Sequence, residues 1–284
     1  MRVAWTYGLA LVALAANPAR GDEWSRQYPL KGGPELHVKT DDGSVRIETG
    51  AGSDGSEIDA RVTTVGWRIA PGEVTITESQ TGDRVEIEVR LPKDRPGWGT
   101  GHRSITVALR VPKQADLDVH TGDGSIEVQP VSGQLNLSTG DGSITADGLQ
   151  GGIRLHTGDG SIRATGLSGR LEADTGDGHM DVRGRFDVLD LRTGDGGIEA
   201  AAEPGSRLDA AWSLSSGDGG ITLRLPDGLG ADIDAHTGDG GIVLEKPVTV
   251  TGTTRQNTVR GELGAGGLPL RIHTGDGSIR LLGL

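Results

Sequence analysis

From Thr121 onward a Thr-Gly-Asp-Gly tetrapeptide recurs, and the residues two and four places before each Thr are apolar. They are Leu117 and Val119 ahead of Thr121, Leu135 and Leu137 ahead of Thr139, Ile153 and Leu155 ahead of Thr157, and Leu189 and Leu191 ahead of Thr193. Five and seven residues after the Thr the apolar positions resume, as Ile126 and Val128, Ile144 and Ala146, Ile162 and Ala164, and Ile198 and Ala200. Alternation at period two predicts strands with one buried face. The residues between the apolar ones, such as Asp118, Asn136, Arg154, Glu172 and Asp190, share no chemistry. The interior is specified and the outside is merely solvated.

The tetrapeptide starts at Thr121, Thr139, Thr157, Thr175, Thr193, Thr237 and Thr274, with Ser216-Gly217-Asp218-Gly219 as an eighth copy. Asp123, Asp141, Asp159, Asp177 and Asp195 are 18 residues apart without drift, and the later intervals are 23, 21 and 37. The last reads as two periods plus one, with Asn257 as a degraded copy between. Thr40-Asp41-Asp42-Gly43 is an earlier relative. The corners Gly122-Asp123-Gly124, Gly140-Asp141-Gly142, Gly158-Asp159-Gly160, Gly176-Asp177-Gly178 and Gly194-Asp195-Gly196 read as structural turns, Gly supplying positive φ and Asp capping its own backbone. A second turn falls near Gly148–Gly152 and Gly166–Gly169. One period is therefore two short strands and two turns.

Two all-β architectures fit. In a single-stranded β-solenoid of about 18 residues per coil, each residue lies about 4.8 Å from its equivalent in the next copy. In an antiparallel hairpin meander, Thr157 pairs with Ile162 and Leu155 with Ala164. An unvarying period suits stacking of like on like and favours the solenoid. Residues 22–112 lack the period but still alternate, at Glu35–Val38, Val45–Glu48, Ile58–Val65, Glu73–Glu78, Val85–Leu91 and Ser104–Val111. An exposed solenoid end invites edge-to-edge pairing, so an atypical terminal section is expected as an N-terminal β cap. Residues 113–284 form the repeat body. Residues 1–21 read as a signal peptide: Met1-Arg2, an apolar run Val3–Ala16, and small residues at Ala19 and Gly21 for a cut before Asp22. A cut before Ala16 is the earlier option. Nothing else approaches the roughly 18 apolar residues of a membrane span.

The chain has 284 residues, of which 49 are Gly and none Cys. Gly at that level argues against a helical bundle, since each interior Gly costs about 1 kcal/mol relative to Ala. Disulfide stapling and lipidation at Cys are excluded. Lys+Arg 28 against Asp+Glu 40 gives a net charge of −12, which disfavours nucleic acid as a partner.

The run Ser104-Ile105-Thr106-Val107-Ala108-Leu109-Arg110-Val111-Pro112-Lys113-Gln114-Ala115-Asp116-Leu117, leading into Thr-Gly-Asp-Gly-Ser-Ile repeats, resembles the bacterial putative-adhesin family of β-strand-repeat proteins, a domain of unknown function. The resemblance spans roughly Glu35 to Leu284, including the ending Leu270-Arg271-Ile272-His273-Thr274-Gly275-Asp276-Gly277-Ser278-Ile279. It implies a right-handed β-helix-like solenoid on an exported or envelope protein, and it brings no catalytic residues.

Candidate chemistry is sparse. Asp123, Asp141, Asp159, Asp177 and Asp195 are weak candidates for metal, because one carboxylate per coil supplies poorly the six to eight oxygens that calcium takes. His120, His156, His236 and His273 each precede a repeat Thr, face outward, and have no neighbouring His in the 18-residue series. The Thr column suits a coil-to-coil hydroxyl ladder. Trp98, in a Pro-Gly-Trp-Gly loop, is a candidate interaction residue, and covering the solenoid ends is the plainer role for Trp98, Trp67 and Trp212 alike. Together these predict a non-enzymatic exported solenoid that needs no cofactor, an envelope or surface scaffold with adhesin-like capacity for a protein or glycan partner. A polysaccharide-acting enzyme is the competing class, marked by two carboxylates roughly 5–10 Å apart in a groove. A calcium-dependent repeat protein is the third.

Overall fold

Every apolar alternation is a strand and every Gly-Asp-Gly a corner in the computed structural model, which describes residues 21–50, 57–92, 103–246, 248–250 and 256–284. Among these residues, 23 strands join in one continuous sheet that winds on itself, with no helix. Equivalent residues pair in parallel: Ile144 with Ile162, Leu137 with Leu155. The chain is a β-solenoid, and the hairpin meander, which would oppose Leu155 to Ala164, is excluded. In each coil the strand before the Gly-Asp-Gly corner belongs to a first column and the strand after it to a second.

Inward side chains of both columns meet along the axis. Leu117, Val119, Ile126 and Val128 are each at most 2% exposed, and the same positions are buried in coil after coil. Burying one such side chain stabilises by about 1.5–3 kcal/mol. The two 14-residue strands Ile162–Thr175 and Met180–Thr193 run through the second corner from one column into the other. That corner is where positive φ is required: Gly148 lies at 67° and Gly166 at 64°.

Coil order departs from chain order at both ends. The final coil, strands Pro269–Thr274 and Ile279–Gly283, is inserted between the coils at Trp212–Leu225 and Ala231–Leu244. Leu270 pairs with Trp212 on one side and Ile233 on the other, and Ile279 with Ile221 and Ile242. The strand Thr258–Leu263 lies antiparallel outside Ala231–Thr237, with Val248–Val250 antiparallel beyond it. Asn257 is therefore not a degraded coil. Thr251 and Thr253 stand where its apolar pair would be, and its carbonyl accepts the Thr237 N–H (3.0 Å) at the head of the antiparallel strand.

The other end repeats the device. The coil at Glu35–Thr40 and Ser44–Thr49 stacks on Asp116–Val128, pairing Leu36 with Leu117 and Val45 with Ile126. Outside it lie Arg84–Arg90 and Ser104–Val111 in parallel, then Thr75–Thr81, Glu57–Val65 and Glu23–Pro29 antiparallel. The strand expected at Glu73–Glu78 begins and ends later, and Glu23–Pro29 was not anticipated. A polar layer closes this end: the Tyr28 hydroxyl donates to one Glu78 oxygen and Arg26 pairs with the other. Burial, and then the Glu78 carboxylate, push the Tyr28 hydroxyl far above the phenol range.

Candidate functional site

The Gly-Asp-Gly edge is built by hydroxyls and by close approach. The Thr157 hydroxyl donates to the Gly142 carbonyl of the preceding coil (2.8 Å) and accepts the Gly160 N–H of its own corner (3.1 Å). Thr139, Thr175, Thr193, Ser216, Thr274 and Thr237 make the same coil-to-coil bond. Each hydroxyl bridges to a carbonyl, not to the next hydroxyl. Thr40, buried at the end of the column, has no partner for its hydroxyl among the described residues, because its outer neighbour Arg84–Arg90 carries no such corner. The corner glycines are not in positive φ. They are needed because a Cβ on Gly142 would stand 2.2 Å from the Gly124 carbonyl oxygen, and one on Gly160 2.0 Å from that of Gly142.

Asp42, Asp123, Asp141, Asp159, Asp177, Asp195, Asp218, Asp276 and Asp239 follow one another along this edge, about 4.8 Å apart. The side chains of Asp141, Asp159, Asp177 and Asp195 accept no hydrogen bond among the described residues, so the expected self-capping is supplied by Thr instead. Among the described residues no three His, Asp or Glu converge as a metal site.

The inserted final coil changes the histidine picture. His236 and His273 are register partners with ring centroids 5.0 Å apart, so the expectation that no two stack is corrected: Asp239 and Asp276 are 37 residues apart in sequence but adjacent in space. His236 Nδ1 is 2.9 Å from Thr258 Oγ1, and His156 Nδ1 3.1 Å from Asp174 Oδ1.

Trp212 is also corrected. It covers no end but is fully buried in the stack, edge-on to Phe186 (centroids 6.4 Å, 81°), with its indole N–H on the Asp187 carbonyl (3.3 Å). It takes an ordinary inward position opposite Leu270, where only volume distinguishes it from Leu. Trp67 packs against the core near the N-terminal end with the Arg103 guanidinium 4.5 Å over its ring. Trp98 lies outside the described residues, as do residues 1–20.

Among the described residues the outer faces carry grooves, three of which are lined by ionic side chains. On the first column, Arg154, His156, Glu172, Asp174, Asp190 and Arg192 line a shallow volume of about 270 Å³. Each carboxylate there has its own basic partner: Arg154–Glu172 (3.2 Å), His156–Asp174 (3.1 Å) and Arg192–Asp190 (2.7 Å). Burial raises the Asp190 carboxyl above the ordinary carboxylate range; Arg192 pulls it down, and Glu172 and Asp174 push it up. A smaller groove of about 220 Å³ surrounds His37, whose two ring nitrogens face Glu35 (2.8 Å) and Asp118 (3.1 Å). A third, about 780 Å³, crosses the second column at the N-terminal end. Its outward rows run Arg46, Ala108, Arg61, Ser25 and Glu48, Arg110, Asp59, Gln27 across four strands. No spacing in the sequence marks it, since those four strands are brought together outside the repeat, by one parallel and two antiparallel pairings.

A family model described as Toastrack DUF4097 matches residues 34–282. Among solved structures, a putative adhesin from Parabacteroides distasonis ATCC 8503 aligns over 93% of this chain and 98% of its own at 14% identity, with a TM-score of 0.50, which shows a shared fold. A putative lipid binding protein from the same organism covers 92% and 96% at 12% identity (TM-score 0.48). A putative cell adhesion protein from Clostridium sporogenes ATCC 15579 covers 92% and 99% at 12% identity (TM-score 0.32). No curated protein matches.

Proposed function

This chain belongs to the Toastrack DUF4097 family, and we propose that it is an exported, non-enzymatic β-solenoid serving as a rigid envelope or surface scaffold with adhesin-like binding capacity. The observation that carries this is the division of labour in each coil. The corner and the interior repeat from Thr40 to Thr274, while the outward rows change from coil to coil and their ionic groups are largely paired within the face. A scaffold asks for that arrangement, and its partner is an envelope protein or glycan met on an outward face. The similar structures named as adhesins accord with it. No helix among the described residues is long and apolar enough to cross a membrane.

Export rests on residues 1–21 as a signal peptide, which leaves 284 − 21 = 263 residues. Asp22 suits a new terminus: its nitrogen donates to Thr64 Oγ1 (3.0 Å) and its carboxylate accepts the Ile69 N–H (2.9 Å). Residues 22–112 cap and start the stack and residues 113–284 form its body, with the five regular Gly-Asp-Gly corners from Gly122 to Gly196 as purely structural turns.

The enzyme alternative rests on neighbouring carboxylates, above all Glu172, Asp174 and Asp190 in one groove, where burial raises the Asp190 carboxyl. Incubation of the purified protein with neutral and acidic polysaccharides tests it: no new reducing ends are expected, and turnover lost in Asp190→Asn overturns the scaffold. For the calcium alternative, the melting midpoint is expected to be the same with calcium and with chelator.

A further inference from the structure

We propose that the large groove of the second column binds an acidic oligosaccharide through the guanidinium groups of Arg46, Arg61 and Arg110. This deepens the reading of the chain as a binding scaffold and rests on it. Ala108 sits between Arg46 and Arg61 on the three adjacent strands Ser44–Thr49, Ser104–Val111 and Glu57–Val65. The two arginines are therefore about 10 Å apart at the backbone, with a methyl group as the floor between them. Both are anchored from the far side. Arg46 gives Nε (3.1 Å) and Nη2 (2.8 Å) to Glu127, and Arg61 gives Nε to Glu23 (3.2 Å). An Arg carries five N–H donors in a fixed fork, so each anchored guanidinium keeps donors for a ligand.

Arg110 completes the triangle, two residues along the strand from Ala108. Its register partners are Glu48 and Asp59, yet it forms no ion pair among the described residues, and Asp59 instead accepts the Gln27 amide (2.9 Å). With Arg26 committed to Glu78, the lining sets Arg46, Arg61 and Arg110 against Glu48 and Asp59, in a chain of net charge −12.

Guanidinium forks match carboxylate bidentately. Three of them spread over neighbouring strands suit a ligand with several separated carboxylates better than one compact ion. Ser25 and Gln27 at the open margin offer a hydroxyl and an amide for sugar hydroxyls. The lining has no aromatic ring on which a nucleobase could stack. Its lining also has no exposed large apolar side chain for acyl chains: the exposed Val65 lies four residues along the strand from Arg61, outside the lining, and Val243, Leu268 and Leu284 belong to the opposite end of the stack. An extended, hydroxylated polyanion fits what remains.

The test is titration calorimetry on the full mature chain with a hexamer of galacturonic acid, its methyl-esterified neutral counterpart, inorganic phosphate, and vesicles of anionic phospholipid as separate arms. The acidic hexamer is expected to bind, less tightly as salt rises, and the other three are expected not to. Arg110→Gln, which breaks no ion pair, is expected to weaken binding about tenfold. Ala108→Glu, which puts a carboxylate between Arg46 and Arg61, is expected to abolish it with the melting midpoint unchanged. Hexamer binding equal in wild type, Arg110→Gln and Ala108→Glu overturns the groove while leaving a binding scaffold in place. Equal binding of the neutral hexamer, or preference for phosphate or vesicles, overturns the ligand class. Failure of the acidic hexamer to bind overturns the inference, whereas enzymatic shortening of either hexamer would instead strike the non-enzymatic reading on which it rests.

Discussion

Replacing Gly142 with alanine tests the stacking directly. The added methyl would lie 2.2 Å from the Gly124 carbonyl oxygen and 2.5 Å from its carbon. Both are backbone atoms held in a ladder, so no side chain can swing aside. Either the two coils part at that corner or the corner shifts and weakens the Thr157 hydroxyl bond to the Gly142 carbonyl (2.8 Å). Overpacking of this kind costs about 1–3 kcal/mol. For a chain of this size each kcal/mol moves the midpoint by about 2–4 °C, so Gly142→Ala is expected to melt about 2–12 °C below wild type by circular dichroism. Gly33 and Gly241 provide controls, since a Cβ on either meets nothing within 4 Å and neither has positive φ. Alanine there is expected to change stability by no more than about 0.5 kcal/mol. If Gly142→Ala melts with Gly241→Ala, the corner glycines are not there for close approach and the account of the edge fails.

Three further outcomes are expected. Because the chain has no native Cys, the inserted coil can be checked by cross-linking. Ser215→Cys with His273→Cys should form a disulfide under mild oxidation, as direct register partners, whereas Ser215→Cys with His236→Cys, separated by the final coil, should not; the reverse pattern would mean coils stack in chain order. Trp212→Ala empties a fully buried site beside Phe186 and should cost about 3–5 kcal/mol in chemical denaturation, a value under 1 kcal/mol being incompatible with core burial. Finally, the folded chain holds the Asp190 proton to higher pH than the unfolded chain, so this group's contribution falls as pH rises from about 3.9 through the folded value and is flat above it. The melting midpoint of Asp190→Asn minus that of wild type should therefore grow from pH 4 to pH 7, and a difference that shrinks would reverse the sign assigned to burial.

What the sequence exposed was whatever repeats. Ile144 over Ile162 and the buried Thr column follow from period two within a period of 18, because parallel stacking needs only that like meet like. The role of the corner glycines was misread because their need arises between coils: local turn chemistry offers positive φ as the reason, while the Gly124 carbonyl that excludes a Cβ at Gly142 is a neighbour only after stacking. For the same reason the Thr hydroxyl displaced Asp as the group that closes the corner. Coil order was hidden because Ser216, Thr237 and Thr274 head equivalent copies, and nothing in equivalent copies says which lies beside which. His236 and His273 therefore met unannounced. The groove at Ala108 was least legible of all, since its rows join residues from Ser25 to Arg110 through pairings that no periodicity encodes.

The placement of the strands Pro269–Thr274 and Ile279–Gly283 bears on how the stack is assembled. A solenoid whose coils followed chain order could grow behind the ribosome, each new turn seating on the one before. Here the coil at Pro269–Gly283, which is made after Ala231–Leu244, seats between that coil and Trp212–Leu225, so the earlier coil must wait, or give way, until the later one arrives. Any premature stop between Leu244 and Pro269 would remove that inner rung, so the coil at Ala231–Leu244 would lose the partner it stacks on.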